Sequence, residues 1–140
     1  MYGHILVPMD GSGQAERALD SAIGLAKALS PAARLSVIHV QPVIALNEPT
    51  GSMDLEGALE SEDRQILAAA TAKLEGTGLS FETFYVHGDP SKVICKAAKE
   101  KSADLIIMGS RGVSFISELL LGSVSHSVAQ HAPCAVMLVK

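Results

Sequence analysis

The stretch DLIIMGSRGVSFISELLLGSVSH, Asp104 to His126, decides the fold. Asp104–Met108 is apolar at alternate and adjacent positions alike, the pattern of a strand buried on both faces. The chain leaves that strand through Gly109, meets Gly112 three positions on, and comes back to Gly122-Ser123 before GSVSHSVAQHA takes up helical spacing. A helix there ends before Pro133, and CAVMLV, Cys134–Val139, reads as a last strand.

The same alternation runs back to the N-terminus. HILVPM (His4–Met9), RLSVIHV (Arg34–Val40) and FETFYVH (Phe81–His87) read as strands, the third at a sheet edge. Between them, Ala15, Ala18, Leu19, Ala22, Ala26 and Leu29 form one helical face. Leu55–Leu74 forms another, with Leu59, Ile66, Ala70 and Leu74 inward, stopped by GTG at Gly76–Gly78. Gln41–Met53 carries two prolines and a Thr-Gly-Ser and is expected to be a loop. GDPSKVICKAAKEKS opens a third helix, with Asp89 as cap and Pro90 in the first turn. Five strands alternating with helices predict a parallel sheet covered on both faces, a single domain over 1–140. If strands 1, 2 and 3 grow one way and strands 4 and 5 the other, strands 1 and 4 are neighbours. A crevice then opens at their carboxyl ends, after PMDGSG and at GSRG.

Composition narrows the function. The 140 residues are 48% hydrophobic and 19% charged with a formal net charge of −4, a globular chain without the basic face a nucleic-acid binder needs. No apolar run approaches the roughly 20 residues that span a bilayer, so no membrane partner is expected. Two cysteines, Cys95 and Cys134, without a secretory signal, point to a reducing compartment; the expected location is cytoplasmic.

The glycine segment has two readings. Gly109 and Gly112 permit positive φ and close approach of the backbone to a bound group, and Gly122-Ser123 begins a helix whose first N–H groups have no internal partner. With Ser123, Ser125 and Arg111 nearby, those groups suit a phosphate chain. Alternatively, the glycines serve turns and the serines cap a helix. A P-loop is absent, since no lysine lies between Lys101 and Lys140. A dinucleotide fold is disfavoured: GSGQAE ends in Glu16 where glycine is required, and the second strand ends HVQP without an acid for a ribose.

The spacing G-x2-G-x9-G-[ST], here Gly109, Gly112, Gly122 and Ser123, resembles the nucleotide-binding signature of the universal stress protein family. VPMDGS (Val7–Ser12), LLLGSVS (Leu119–Ser125) and HAPCAVMLV (His131–Val139) are similar to family sequence in the same order, so the resemblance spans essentially the whole chain. It implies a Rossmann-like α/β/α sandwich with strand order 3-2-1-4-5, binding ATP with Mg2+. By position, Pro8, Met9 and Asp10 would lie beside the adenosine, Val40 against the adenine, and Met108, Gly109, Arg111 and Gly112 around ribose and phosphates. Gly122, Ser123, Val124 and Ser125 would hold the phosphate tail. It also implies a homodimer through Cys134–Val139, whose apolar edge needs cover. Phe115 departs from the small residue common in relatives, and the loop Gln41–Met53 carries nothing over.

The remaining residues have plainer readings. Asp10 faces either the helix it precedes, as a cap, or the ligand. His39 reads as a packed core histidine. His126, His131 and Cys134 lack zinc-site spacing, so no metal ligation by side chains is expected. Cys95 reads as an inert thiol, and Lys96, Lys99, Glu100 and Lys101 as a solvated face. The leading expectation is a nucleotide-responsive regulatory protein of the stress response. A weak ATPase or adenylyl-transfer enzyme and a dimeric interaction module without nucleotide are the alternatives.

Overall fold

The computed structural model describes residues 2–42, 52–111 and 122–140, with 52–60 described by backbone alone. The elements are β1 (His4–Pro8), α1 (Gly13–Ala28), β2 (Arg34–Gln41), α2 (Ser52–Leu74), β3 (Phe81–His87), α3 (Pro90–Glu100), β4 (Leu105–Gly109), α4 (Ser123–His131) and β5 (Ala135–Val139). The strands are all parallel in the order β3-β2-β1-β4-β5, with helices on both faces, a Rossmann-like α/β/α sandwich. The expected elements and order stand. Their bounds shift by a residue at several strand ends, and α2 starts at Ser52 rather than Leu55. Of the loop expected over Gln41–Met53, residues 43–51 lie outside the described residues, as does the side chain of Leu59.

Strand alternation sorts the core into two layers. Ile5, Val7, Leu35, Val37, Leu105 and Ile107 pack against α1 and α2 residues such as Leu19, Ala22, Ala70 and Leu74. Leu6, Ile38, Ile106 and Met108 pack against Ile94, Ala97 and Ala98 of α3 and Val128 of α4. Helix α1 is small on its inner face, Ala15, Ala18, Ala22 and Ala26 all being buried, which lets it lie close to the sheet.

The register shows where the sheet opens. β1 stays paired with β2 up to Pro8↔Ile38, and β4 with β5 up to Gly109↔Val139. Between β1 and β4 only Ile5↔Leu105 and Leu6↔Ile106 pair. Beyond them the two central strands part, because their following segments turn to opposite faces of the sheet.

Lys101 corrects one expectation. It is not part of a solvated face: its ammonium donates to Glu82 Oε1 at 2.9 Å and sits 4.4 Å from the centre of the Phe84 ring. Glu82 also accepts from Ser36 Oγ at 2.7 Å, and Ser36 Oγ contacts His4 Nε2 at 2.6 Å. The network ties β1, β2, β3 and the end of α3 together at the amino ends of the strands. Hydrogen bonds from Lys101 and then Ser36 hold the Glu82 carboxyl below its ordinary range, against the opposing effect of burial. Lys96 and Glu100, by contrast, are the exposed i,i+4 pair expected of a helix surface.

Candidate functional site

Where β1 and β4 part, a cavity of about 390 Å³ opens at the carboxyl ends of the strands. That volume suits a small organic ligand. Eleven of the twelve residues singled out in the sequence line it. β1 and the turn after it contribute Pro8, Met9 and Asp10, and β2 contributes Val40. From β4 and its exit come Met108, Gly109 and Arg111, and from the start of α4 come Gly122, Ser123, Val124 and Ser125. The twelfth, Gly112, lies outside the described residues, as does Phe115.

The helices around the cavity differ at their N-termini. α1 is capped: Ser12 Oγ accepts from Ala15 N at 3.1 Å, and Glu16 adds an acid to the first turn. α3 is capped by Asp89, with Pro90 in its first turn. α4 is headed by Gly122, which has no side chain to cap with, and no acidic residue occupies its first turn. Its first amides therefore keep their affinity for an external acceptor at the positive end of the helix dipole. Among the helix starts whose caps are described, this one has no side-chain cap, and it lies on the cavity.

A web of hydrogen bonds fixes that end. Gly122 N donates to Ser110 O at 2.8 Å, and Ser125 Oγ donates to the same carbonyl at 2.7 Å. Ser110 Oγ and Arg111 N both donate to Gln14 Oε1, at 2.9 and 2.8 Å. Ser110 N donates to Val139 O at 2.8 Å. Ser110 thus joins α1, α4 and β5 around the exit of β4.

One reading of an individual residue changes, and one open alternative closes. Gly109 is not at positive φ. Its missing side chain serves the close approach of α1, since a Cβ there would lie 3.0 Å from Gln14 Cβ and 3.1 Å from Ala15 N. Asp10 does not cap α1, because Ser12 does. Its Oδ1 instead accepts from Ser12 N at 2.9 Å, while the residue remains exposed at the cavity.

His39 is buried, as expected of a core histidine, yet it also lines the cavity. Nδ1 bonds Met9 O at 2.7 Å, and Nε2 lies 2.6 Å from Asp63 Oδ1 of α2. Both ring nitrogens are engaged by protein groups, so the imidazole is not placed to take a proton from a bound molecule. Cys95 and Cys134 pack against the α3/α4 core layer, and burial raises the pKa of both thiols, which suits inert groups.

The sequence did not reveal Ser12, Glu62, Pro90 and Ile94, which also line the cavity, nor the buried Asp63. Asp63 had a signal: it continues the inward stripe of Ile66, Ala70 and Leu74 at helical spacing. A carboxylate on that stripe must find a partner in the interior. Among the described residues no cluster of three metal-ligating side chains occurs, and no helix is long and apolar enough to cross a membrane.

The universal stress protein family model matches residues 1–140. The chain is 37% identical over 150 residues to universal stress protein YxiE of Bacillus subtilis, covering all of both chains. The solved structure of the protein MJ0577 superposes with a TM-score of 0.90 at 31% identity, over 100% of this chain and 96% of that one. A universal stress protein in complex with cAMP gives a TM-score of 0.74 at 26% identity, over 99% of this chain and 97% of that one. The universal stress protein of Archaeoglobus fulgidus in complex with dAMP gives 0.72 at 25%, over 99% and 98%. A match over the full length, a fold with the same strand order and relatives above 30% identity agree: this chain belongs to the universal stress protein family.

Proposed function

We propose that the cavity between β1 and β4 binds an adenine nucleotide, ATP with Mg2+, and that the protein acts as a nucleotide-responsive regulator in the stress response. The observation that carries this reading is the uncapped N-terminus of α4 on the cavity. Among the helix starts described, α1 and α3 carry a side-chain cap and α4 does not, which makes sense if the ligand caps α4. In this reading Gly122, Ser123, Val124 and Ser125 receive the phosphates, with Arg111 and Gly112 beside them. Ser125 contributes through its backbone, because its hydroxyl proton is directed to main-chain carbonyls. Met108 and Gly109 flank the ribose; Pro8, Met9, Asp10 and Val40 form the apolar adenosine side. The cAMP and dAMP complexes of relatives support the nucleoside class. Among the described residues, the carboxylates lining the cavity are Asp10 and Glu62, oxygen donors of the type Mg2+ accepts alongside phosphate.

The engagement of both His39 nitrogens favours binding over turnover, since the buried imidazole of the cavity wall is not available as a general base. β5 is an edge strand with Ala135 and Met137 exposed, which suits two-fold pairing with a second copy.

A thermal-shift panel with ATP, ADP, AMP and cAMP, each with and without Mg2+, tests the reading. A ligand at 100 times its dissociation constant stabilises the folded state by ~2.7 kcal/mol. The largest shift is expected with ATP and Mg2+. No shift with any of the four would overturn the nucleotide reading.

A further inference from the structure

We infer that Asp63 and His39 are positioning residues that clamp α2 to the floor of the crevice and, through Met9, set its affinity for nucleotide. The inference rests on the nucleotide reading above for its affinity arm only.

The proton arrangement is constrained. A carbonyl oxygen only accepts, so the 2.7 Å contact with Met9 O requires a hydrogen on His39 Nδ1. Nε2 then faces Asp63 Oδ1 at 2.6 Å. Asp63 is 1% exposed. On its other side stands the exposed His87 of β3, with Nε2 3.9 Å from Oδ2. The contact with His39 is short but poorly directed, so neither Asp63 oxygen completes a hydrogen bond.

A buried, imperfectly satisfied carboxylate is a costly way to dock a helix, so its place on that stripe points to a contact that an apolar side chain could not make. Its surroundings supply a reason for it. Met9 and His39 both line the cavity, and so does Glu62, the neighbour of Asp63. One turn on, Ile66 lies over Gly11 in the turn between β1 and α1. The clamp therefore joins α2, which reaches this turn through Ile66, to the Met9 carbonyl just after β1. Asp63 itself does not line the cavity, so it acts on a ligand only through His39 and Met9.

The test uses Asp63→Leu and Asp63→Asn in the full chain. The asparagine amide can donate to Nε2 of a neutral imidazole and leave the Nδ1 bond to Met9 in place. Affinity for ATP with Mg2+ is read by calorimetry at a temperature where each variant is folded. Hydrogen exchange is read on the ligand-free proteins. Asp63→Leu is expected to bind about tenfold more weakly. It should exchange faster in Met9–Ser12 and α2 while β4 and α4 are unchanged. Asp63→Asn is expected to stay within about threefold of the parent in affinity, with the parent's exchange pattern. If Asp63→Leu does not fold, His39→Gln takes its place. Parental affinity and exchange in Asp63→Leu would overturn the inference. So would a loss of protection spread evenly over the chain, or an asparagine variant as impaired as the leucine one. A parent protein that binds no adenine nucleotide would sink the nucleotide reading instead, and the exchange pattern would still decide the clamp.

Discussion

Gly109 and Gln14 lie so close that a Cβ on Gly109 would sit 3.0 Å from Gln14 Cβ, tighter than side chains ordinarily pack. The same Gln14 holds Ser110 Oγ and Arg111 N on its amide oxygen. The start of α1 thereby sets the path of the backbone that lines the cavity. Gly109→Ala requires α1 and this backbone to give by a few tenths of an ångström. Overpacking of this kind costs ~1–3 kcal/mol. The expected result is a melting temperature several degrees lower and weaker nucleotide binding in the same variant, measured by thermal shift with and without ATP.

Gly122→Asp separates stability from binding. A carboxylate at this N-cap would accept from the first amides of α4, which have no side-chain cap in the parent. The ligand-free protein should melt at the parental temperature or slightly above, since Asp exceeds Gly as a cap by only a few tenths of a kcal/mol, roughly. The ATP shift should vanish, because the variant carries its own anion at the site. A retained shift would place the phosphates elsewhere.

Glu82 makes stability pH-dependent at the opposite end of the sheet. Its carboxyl is held below the ordinary range by Lys101 and Ser36 in the folded state. The unfolded chain therefore binds this proton at higher pH than the folded one. The stabilisation is complete above the unfolded value, about 4.3, and fades as pH falls through the folded one. Glu82→Gln should melt lower than the parent at neutral pH, by an amount on the order of 1 kcal/mol for a half-exposed network. Denaturation series at stepped pH should show the gap closing in acid. A gap that widens on acidification would contradict the assignment.

Met137 tests the edge strand. It is 41% exposed on β5, at the end of the sheet. A lysine on an open edge opposes strand pairing between copies. Native mass spectrometry is expected to show a dimer for the parent and a monomer for Met137→Lys, with unchanged melting of the folded unit. A monomeric parent at micromolar concentration would remove β5 as an interface.

Most of the fold was legible because hydrophobic period is a local property. The doubly apolar Asp104–Met108 predicted a central strand, and β4 is buried along Leu105–Met108. Asp89 and Pro90 marked the start of α3 correctly, since capping depends on neighbours a few residues away. Gly109 was legible as special but not for its reason. Its constraint comes from Gln14, 95 positions earlier, and no local pattern carries such a contact.

From its residues alone the chain declared five strands, four helices, and a glycine-rich exit leading to a helix that begins at Gly122-Ser123. Those are consequences of side-chain period and backbone chemistry over a few consecutive residues. Tertiary structure decided what could not be local: that β1 and β4 part after two paired positions, that Ser110 gathers α1, α4 and β5, and that Asp63 reaches His39 in the interior. Each joins segments far apart in sequence, and only the packing of the layers brings such groups within hydrogen-bonding distance.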